Sequence, residues 1–204
     1  MSTADKVAGW VSVLLSNPVV GMVFGYTMGL SETQSAWGFP DQGIAVLSAL
    51  FLGIFPYVGA LVSFIVGKTD IYVSKREQRP ALFLVAVPPM VFGALYFYIR
   101  GLPILSSLLL LMLAESLILL LITTRWKISI HVSGLAFPLT VIWVRDGITA
   151  LFGFLLLPVL LLLPVLMWAR VRTGAHSWAQ VLVSAFLSGL MTYCGAVIFL
   201  PSFR

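Results

Sequence analysis

Seven predominantly apolar stretches, each near the length of a membrane-crossing helix, leave this chain few possible folds. They run Trp10–Leu30, Gly43–Val66, Pro80–Ile99, Leu102–Thr123, Ile128–Val144, Ile148–Trp168 and Trp178–Leu200. A hydrocarbon core about 30 Å thick takes roughly 20 apolar residues as helix. Inside that core each backbone N–H and C=O must be paired within the protein, and helices do this segment by segment. The fold expected is therefore all-α: a polytopic transmembrane helix bundle of six or seven spans, forming a single integral membrane domain over residues 1–204. The count stays open because Asn17-Pro18 interrupts the first stretch and the fifth is short. Composition agrees, with 60% hydrophobic and only 9% charged residues, where a soluble domain carries about a quarter charged. Lys6 precedes an apolar run with no clear small-residue cleavage site, so this stretch reads as a first span, preceded by a helix lying in the interface. The single cysteine, Cys194, falls inside the last stretch and leaves no intrachain disulfide to form.

Charge supplies the next constraint. When sides alternate along seven spans, the N-terminus and the loops 67–79, 124–127 and 169–177 share one face. Lys6, Lys68, Lys75, Arg76, Arg79, Arg125, Lys127, Arg170 and Arg172 lie there, nine of the twelve basic residues. Arg100, Arg145 and Arg204 take the other. By the positive-inside rule the crowded face is expected to be cytoplasmic, and the protein is expected to be integral to the cell membrane. Arginine gathered for a phosphate site would crowd that face in the same way. Arg76, Arg125 and Arg172 read more simply as topology anchors, and Trp10, Trp126, Trp168 and Trp178 as an aromatic belt near segment ends. The formal charge of +5 does not point to nucleic acid, because the basic residues are scattered among short loops rather than drawn into a stripe.

Only two histidines occur, and each sits in a basic cluster at the mouth of an apolar stretch: His131 after Arg125 and Lys127, His176 after Arg170 and Arg172. Histidine moves protons near neutral pH, and arginine grips phosphate oxygens in a planar fork. The span parity puts both clusters, and the Lys75–Arg79 pair, on one face.

These residues resemble the type 2 phosphatidic acid phosphatase superfamily of membrane lipid phosphatases, marked by K-x6-R-P, P-S-G-H and S-R-x5-H-x3-D. Ala169-Arg170, five residues, His176, three residues and Gln180 follow the third pattern, with Ala169 for serine and Gln180 for aspartate. Ser129-Ile130-His131 keeps the serine and histidine of the second, with Ile130 for glycine and Ile128 for proline. Arg79-Pro80 matches the end of the first, but Tyr72 stands where its lysine is expected, with Lys68 and Lys75 to either side. In the family the first two patterns lie close together in one loop, whereas here two apolar segments separate them. Either the first element is rearranged or Arg125 and Lys127 take its place. The resemblance covers the chain from about Lys68 onward.

A phosphate monoester must have its charge offset and its phosphorus aligned with a nucleophile. Arg79 and Arg170 can each clamp oxygens bidentately, and Lys75, one helical turn before Arg79, can add a point charge. Lys127 is a further candidate for that charge. Ser129 stands at the N-terminal end of the fifth segment, where orphan N–H groups and the helix dipole favour an anion. His176 would attack phosphorus as neutral imidazole to give a phosphohistidine. His131 would protonate the leaving lipid oxygen and then help deprotonate water. The resemblance implies an aspartate that orients the nucleophilic imidazole. Gln180 can fix the tautomer but brings no compensating charge; Asp70 or Glu77 from the same face are possible substitutes. No metal or other cofactor is called for. Glu115, deep in the fourth segment, is an intramembrane polar position, read as hydrogen-bonded in the bundle or lining a lipid or proton path.

The expected activity is thus release of phosphate from a lipid-linked phosphate, phospholipid-type or polyprenyl. Two alternatives remain. One is a prenyltransferase of the UbiA type, which would need several carboxylates for Mg²⁺ where the loop offers Asp70 and Glu77. The other is a non-catalytic lipid transporter using Glu115 and a basic vestibule. Proline at Pro88-Pro89, Pro158 and Pro164 is expected to kink spans.

Overall fold

The computed structural model describes residues 2–68, 76–147 and 156–200, and every regular element among them is helical. The elements are α1 Thr3–Leu14, α2 Asn17–Trp37, α3 Gln42–Ala49, α4 Val58–Ile65, α5 Arg79–Ile99, α6 Pro103–Thr123, α7 Ile130–Asp146, α8 Leu156–Arg172 and α9 Trp178–Phe199. Four helical stretches are long and apolar enough to cross a membrane: Gln42–Ile65, α5, α6 and α9, with a fifth if α1 and α2 count as one span. The structure is compatible with a membrane protein. Helices α7 and α8 each have 17 residues.

Local chemistry explains the boundaries. Pro18 has no N–H to bond the Leu14 carbonyl, so α1 stops at Leu14 and α2 begins anew, with proline in its first turn. Within the expected span Gly43–Val66, Pro56 takes the position that would donate to Leu52. The helix passes there through a π-turn, Leu50–Ile54, and a 3₁₀-turn, Phe55–Tyr57, before α4 resumes. By contrast, α5 runs as one helix through Pro88-Pro89.

The chain forms two compact units: Met1–Asn17 with Lys127–Arg204, and Pro18–Trp126. In the second, α5 packs along α6 around Phe97, Leu105, Leu108 and Leu109, all buried. Phe51 lies edge-on to Phe97 at 5.7 Å between ring centroids. In the same unit Gly21, Gly25 and Gly29 line one face of α2. A Cβ there would come within 2.4 Å of the Leu52 carbonyl oxygen, 2.5 Å of the Ser48 carbonyl oxygen and 2.6 Å of the Ala45 Cα. Small residues at i and i+4 let helix backbones approach closely, the means of association where no hydrophobic effect drives helices together. Glu32, buried, accepts from the N–H groups of Ile104 at 2.7 Å and Leu105 at 2.8 Å, capping the start of α6.

In the first unit α7 packs on α9 and α1 on α8.

Candidate functional site

The spacing between Arg170 and His176 has a direct structural cause. Helix α8 ends at Arg172, and Gly174 turns left-handed at φ +70°. The N–H of Ala175 donates to the Arg170 carbonyl at 3.1 Å and that of Gly174 to Val171 at 3.0 Å, the hydrogen bonds of a Schellman motif. The turn returns the His176 N–H to the same Arg170 carbonyl at 3.2 Å. Five residues between arginine and histidine are thus the length of a helix C-cap plus the step into the next helix. Arg170 and His176 are both buried, at 4% and 8% exposure.

Ser177 then caps α9 in a capping box. Its hydroxyl accepts from the Gln180 N–H at 3.3 Å, and the Gln180 Oε1 accepts from the Ser177 N–H at 3.1 Å. The Gln180 Oε1 also lies 3.2 Å from His176 Nδ1. Because the Ser177 N–H identifies the amide oxygen at this point, Nδ1 must be the donor. A proton on Nδ1 is the one this oxygen can accept. Gln180 therefore meets one of the two demands on an orienting partner. It can orient the ring by accepting from Nδ1 and adds no charge.

A hydrogen-bonded chain ties this turn to the start of α7. The Ser184 hydroxyl donates to the Gln180 carbonyl and accepts from the Ser129 N–H at 2.8 Å. One helical turn further, the Ser188 hydroxyl donates to the Ser133 carbonyl at 3.0 Å. Ser129, the N-cap of α7, is fully buried, and its side chain makes no capping bond. Its Oγ has no hydrogen-bond partner among the described residues. His131, the second residue of α7, and Lys127, just before it, are half-buried.

Of the residues singled out in the sequence, the structure links His176, Gln180, Arg170 and Ser129. Arg79 belongs to the other unit, where it is buried and its Nη1 donates to Thr123 Oγ1 at 3.4 Å. Glu115 is buried there on α6, and Glu77 is exposed in the 3₁₀-turn before α5. Lys75, Asp70 and Tyr72 lie outside the described residues. Among the described residues no three His, Cys, Asp or Glu side chains come together as a metal-holding group. Sequence reasoning missed Ser184, Ser188 and Asn17. The serine pair carried a signal in its i, i+4 spacing, matched by Ser129 and Ser133 on the facing helix. Asn17 carried one only as a polar break in an apolar run.

Comparison with known protein families, with curated proteins and with solved structures gives no match. The resemblance to the type 2 phosphatidic acid phosphatases therefore rests on the residues themselves.

Proposed function

We propose that the protein is a membrane phosphohydrolase that releases phosphate from a lipid-linked phosphate through a phosphohistidine on His176. The observation that carries this reading is the imidazole itself: buried, with Nδ1 3.2 Å from the Gln180 Oε1, and held one turn from a buried arginine. Nε2 attacks phosphorus and the P–O bond to the lipid breaks. The leaving oxygen takes a proton from His131. Water then attacks the phosphohistidine, gives up a proton to His131, and phosphate departs with His176 restored. Arg170 offsets charge on the phosphoryl oxygens, Lys127 adds a point charge, and Ser129 with the first turn of α7 provides N–H and O–H donors.

The reading carries a topology with it. Six or seven crossings are proposed, with α7 and α8 spanning at about 26 Å each, near the short end of what a bilayer accepts. The basic face, with both histidines, is assigned to the cytoplasm.

The test is a phosphate-release screen over phospholipid-type and polyprenyl phosphates with purified protein in detergent. Wild type should release phosphate from at least one of them with EDTA present. His176→Ala and Arg170→Ala should each abolish release while keeping the helical circular dichroism of wild type. A fully active His176→Ala protein sinks the mechanism, and activity lost to EDTA points instead to a metal-dependent site.

A further inference from the structure

Four buried side-chain oxygens have no hydrogen-bond partner among the described residues: Ser12 Oγ, Asn17 Oδ1, Ser129 Oγ and Ser133 Oγ. All four belong to the unit formed by Met1–Asn17 with Lys127–Arg204. Buried polar atoms are rarely left unpaired in native proteins, and each one that is calls for a partner such as an ion or a water. The phosphohydrolase reading employs Ser129 and leaves the other three without a role.

Two of those three flank the end of α1, and the third faces them from α7. Ser12 lies two residues before α1 ends at Leu14, and Asn17 is the first residue of α2. Ser12 and Ser133 are each 1% exposed and Asn17 is 6% exposed. The Asn17 Nδ2 donates to the Ile130 carbonyl at 3.1 Å, which identifies Oδ1 as the other atom of the amide. That oxygen lies against α7 at Gly134, where a Cβ would come within 2.4 Å of it. Consecutive side chains leave a helix about 100° apart, so Ser133 stands next to the face that receives the Asn17 amide. The break itself supplies another oxygen, since Pro18 has no N–H for the Leu14 carbonyl.

The donor set selects the ligand. Transition metals take nitrogen and sulfur, and Ca²⁺ and Mg²⁺ take carboxylates. Here the donors are amide, hydroxyl and carbonyl oxygens, all neutral, which suits a monovalent cation. The last carbonyls of α1 carry the negative pole of its helix dipole. In membranes, the C-terminal ends of interrupted helices hold Na⁺ in this way.

We propose that the end of α1 and the facing turn of α7 bind a dehydrated monovalent cation of the Na⁺ class, with Asn17 Oδ1, Ser12 Oγ and Ser133 Oγ among its donors. The site needs no substrate, so it stands or falls separately from the phosphohydrolase reading.

Thermal unfolding of the full-length protein in detergent is followed by circular dichroism while Na⁺ replaces N-methyl-D-glucamine at constant ionic strength. The wild-type midpoint should rise with Na⁺ and level off, as binding to the folded state requires. Ser133→Ala and Ser12→Ala each remove a hydroxyl that bonds no described residue. Both should nearly keep the wild-type midpoint without Na⁺ and need about tenfold more Na⁺ for the same rise. Asn17→Ala should abolish the rise, from a lower starting midpoint because the bond to Ile130 is lost. The two serine variants carry the test if Asn17→Ala does not fold. A wild-type midpoint indifferent to Na⁺ overturns the site and assigns these oxygens to internal water. A Na⁺ response unchanged in folded Ser133→Ala and Ser12→Ala also overturns it, because the cation then binds elsewhere.

Discussion

Among the described residues, α2 with the α3 region and α7 with α9 approach closely by opposite means. In the unit Pro18–Trp126, α2 meets the α3 region backbone to backbone because Gly21, Gly25 and Gly29 present no side chain there. In the other unit, α7 meets α9 through hydroxyls, Ser184 to the Ser129 N–H and Ser188 to the Ser133 carbonyl. A glycine contact is held by dispersion and shape, and it leaves no chemistry in the interface. A serine contact spends polar atoms on holding register, and here its first rung runs on through Gln180 to His176. The difference separates a joint that only needs to be close from one that is also tied to the His176 ring.

Gly25→Ala gives the largest effect and tests the first half of that comparison. The added Cβ would sit 2.5 Å from the Ser48 carbonyl oxygen and 2.8 Å from its carbon, both backbone, so the helices must part. Overpacking of this kind costs about 3 kcal/mol. Gly9→Ala is the control: nothing lies within 4 Å of its Cβ, and the change should stabilise α1 by roughly 0.5–1 kcal/mol. Unfolding midpoints in mixed detergent measure both. Equal midpoints for the two variants would mean the glycine face is incidental.

Ser184→Ala comes next and tests the second half. It leaves the Ser129 N–H buried without its acceptor, a loss of about 1–2 kcal/mol. Ser188→Ala takes a donor from a carbonyl inside a helix, a bond worth about 0.6 kcal/mol on average in membrane helices. Ser184→Ala should also slow phosphate release beyond its effect on stability, because Gln180 loses a tether. If the two serines prove interchangeable in both measurements, the rung nearest His176 has no special part in positioning.

The ends of α5, α6 and α9 were legible in the sequence; those of α1 and α2, which run Thr3–Leu14 and Asn17–Trp37 where one stretch Trp10–Leu30 was expected, were not, and neither were the contacts. Pro80–Ile99, Leu102–Thr123 and Trp178–Leu200 each fall within a residue or so of α5, α6 and α9, because hydropathy and proline both mark where a helix can start and stop. The turns at Leu50–Tyr57 went unforeseen although Pro56 was visible. A proline inside an apolar run bends or breaks a helix according to its surroundings, and α5 stays continuous through two of them. R-x5-H was legible as a spacing, and its structural cause is the left-handed Gly174. The glycine face of α2 and the serine ladder needed a partner helix before they meant anything, since i, i+4 spacing says which side of a helix is small but not what lies against it.

The outermost pairing of the histidine-bearing unit should matter least, and pH isolates it. Asp5 and Ser2 form a capping box at the start of α1, and Asp5 Oδ1 lies 2.8 Å from Arg172 Nε, on the helix that leads to His176. Hydrogen bonds from Ser2, helped by the Arg172 guanidinium, hold the Asp5 carboxyl below its ordinary value of 3.8. A depressed carboxylate stabilises the folded state above the unfolded pKa and ceases to do so as pH falls through the folded one. Asp5→Asn should therefore lower the unfolding midpoint slightly at pH 7, less so in high salt because the pair is exposed. The gap to wild type should close as the pH drops below 3.8. A gap that stayed open at acid pH would assign the effect to the shape of the cap rather than to charge. The tie between α1 and α8 would then resemble the glycine joint more than the serine one.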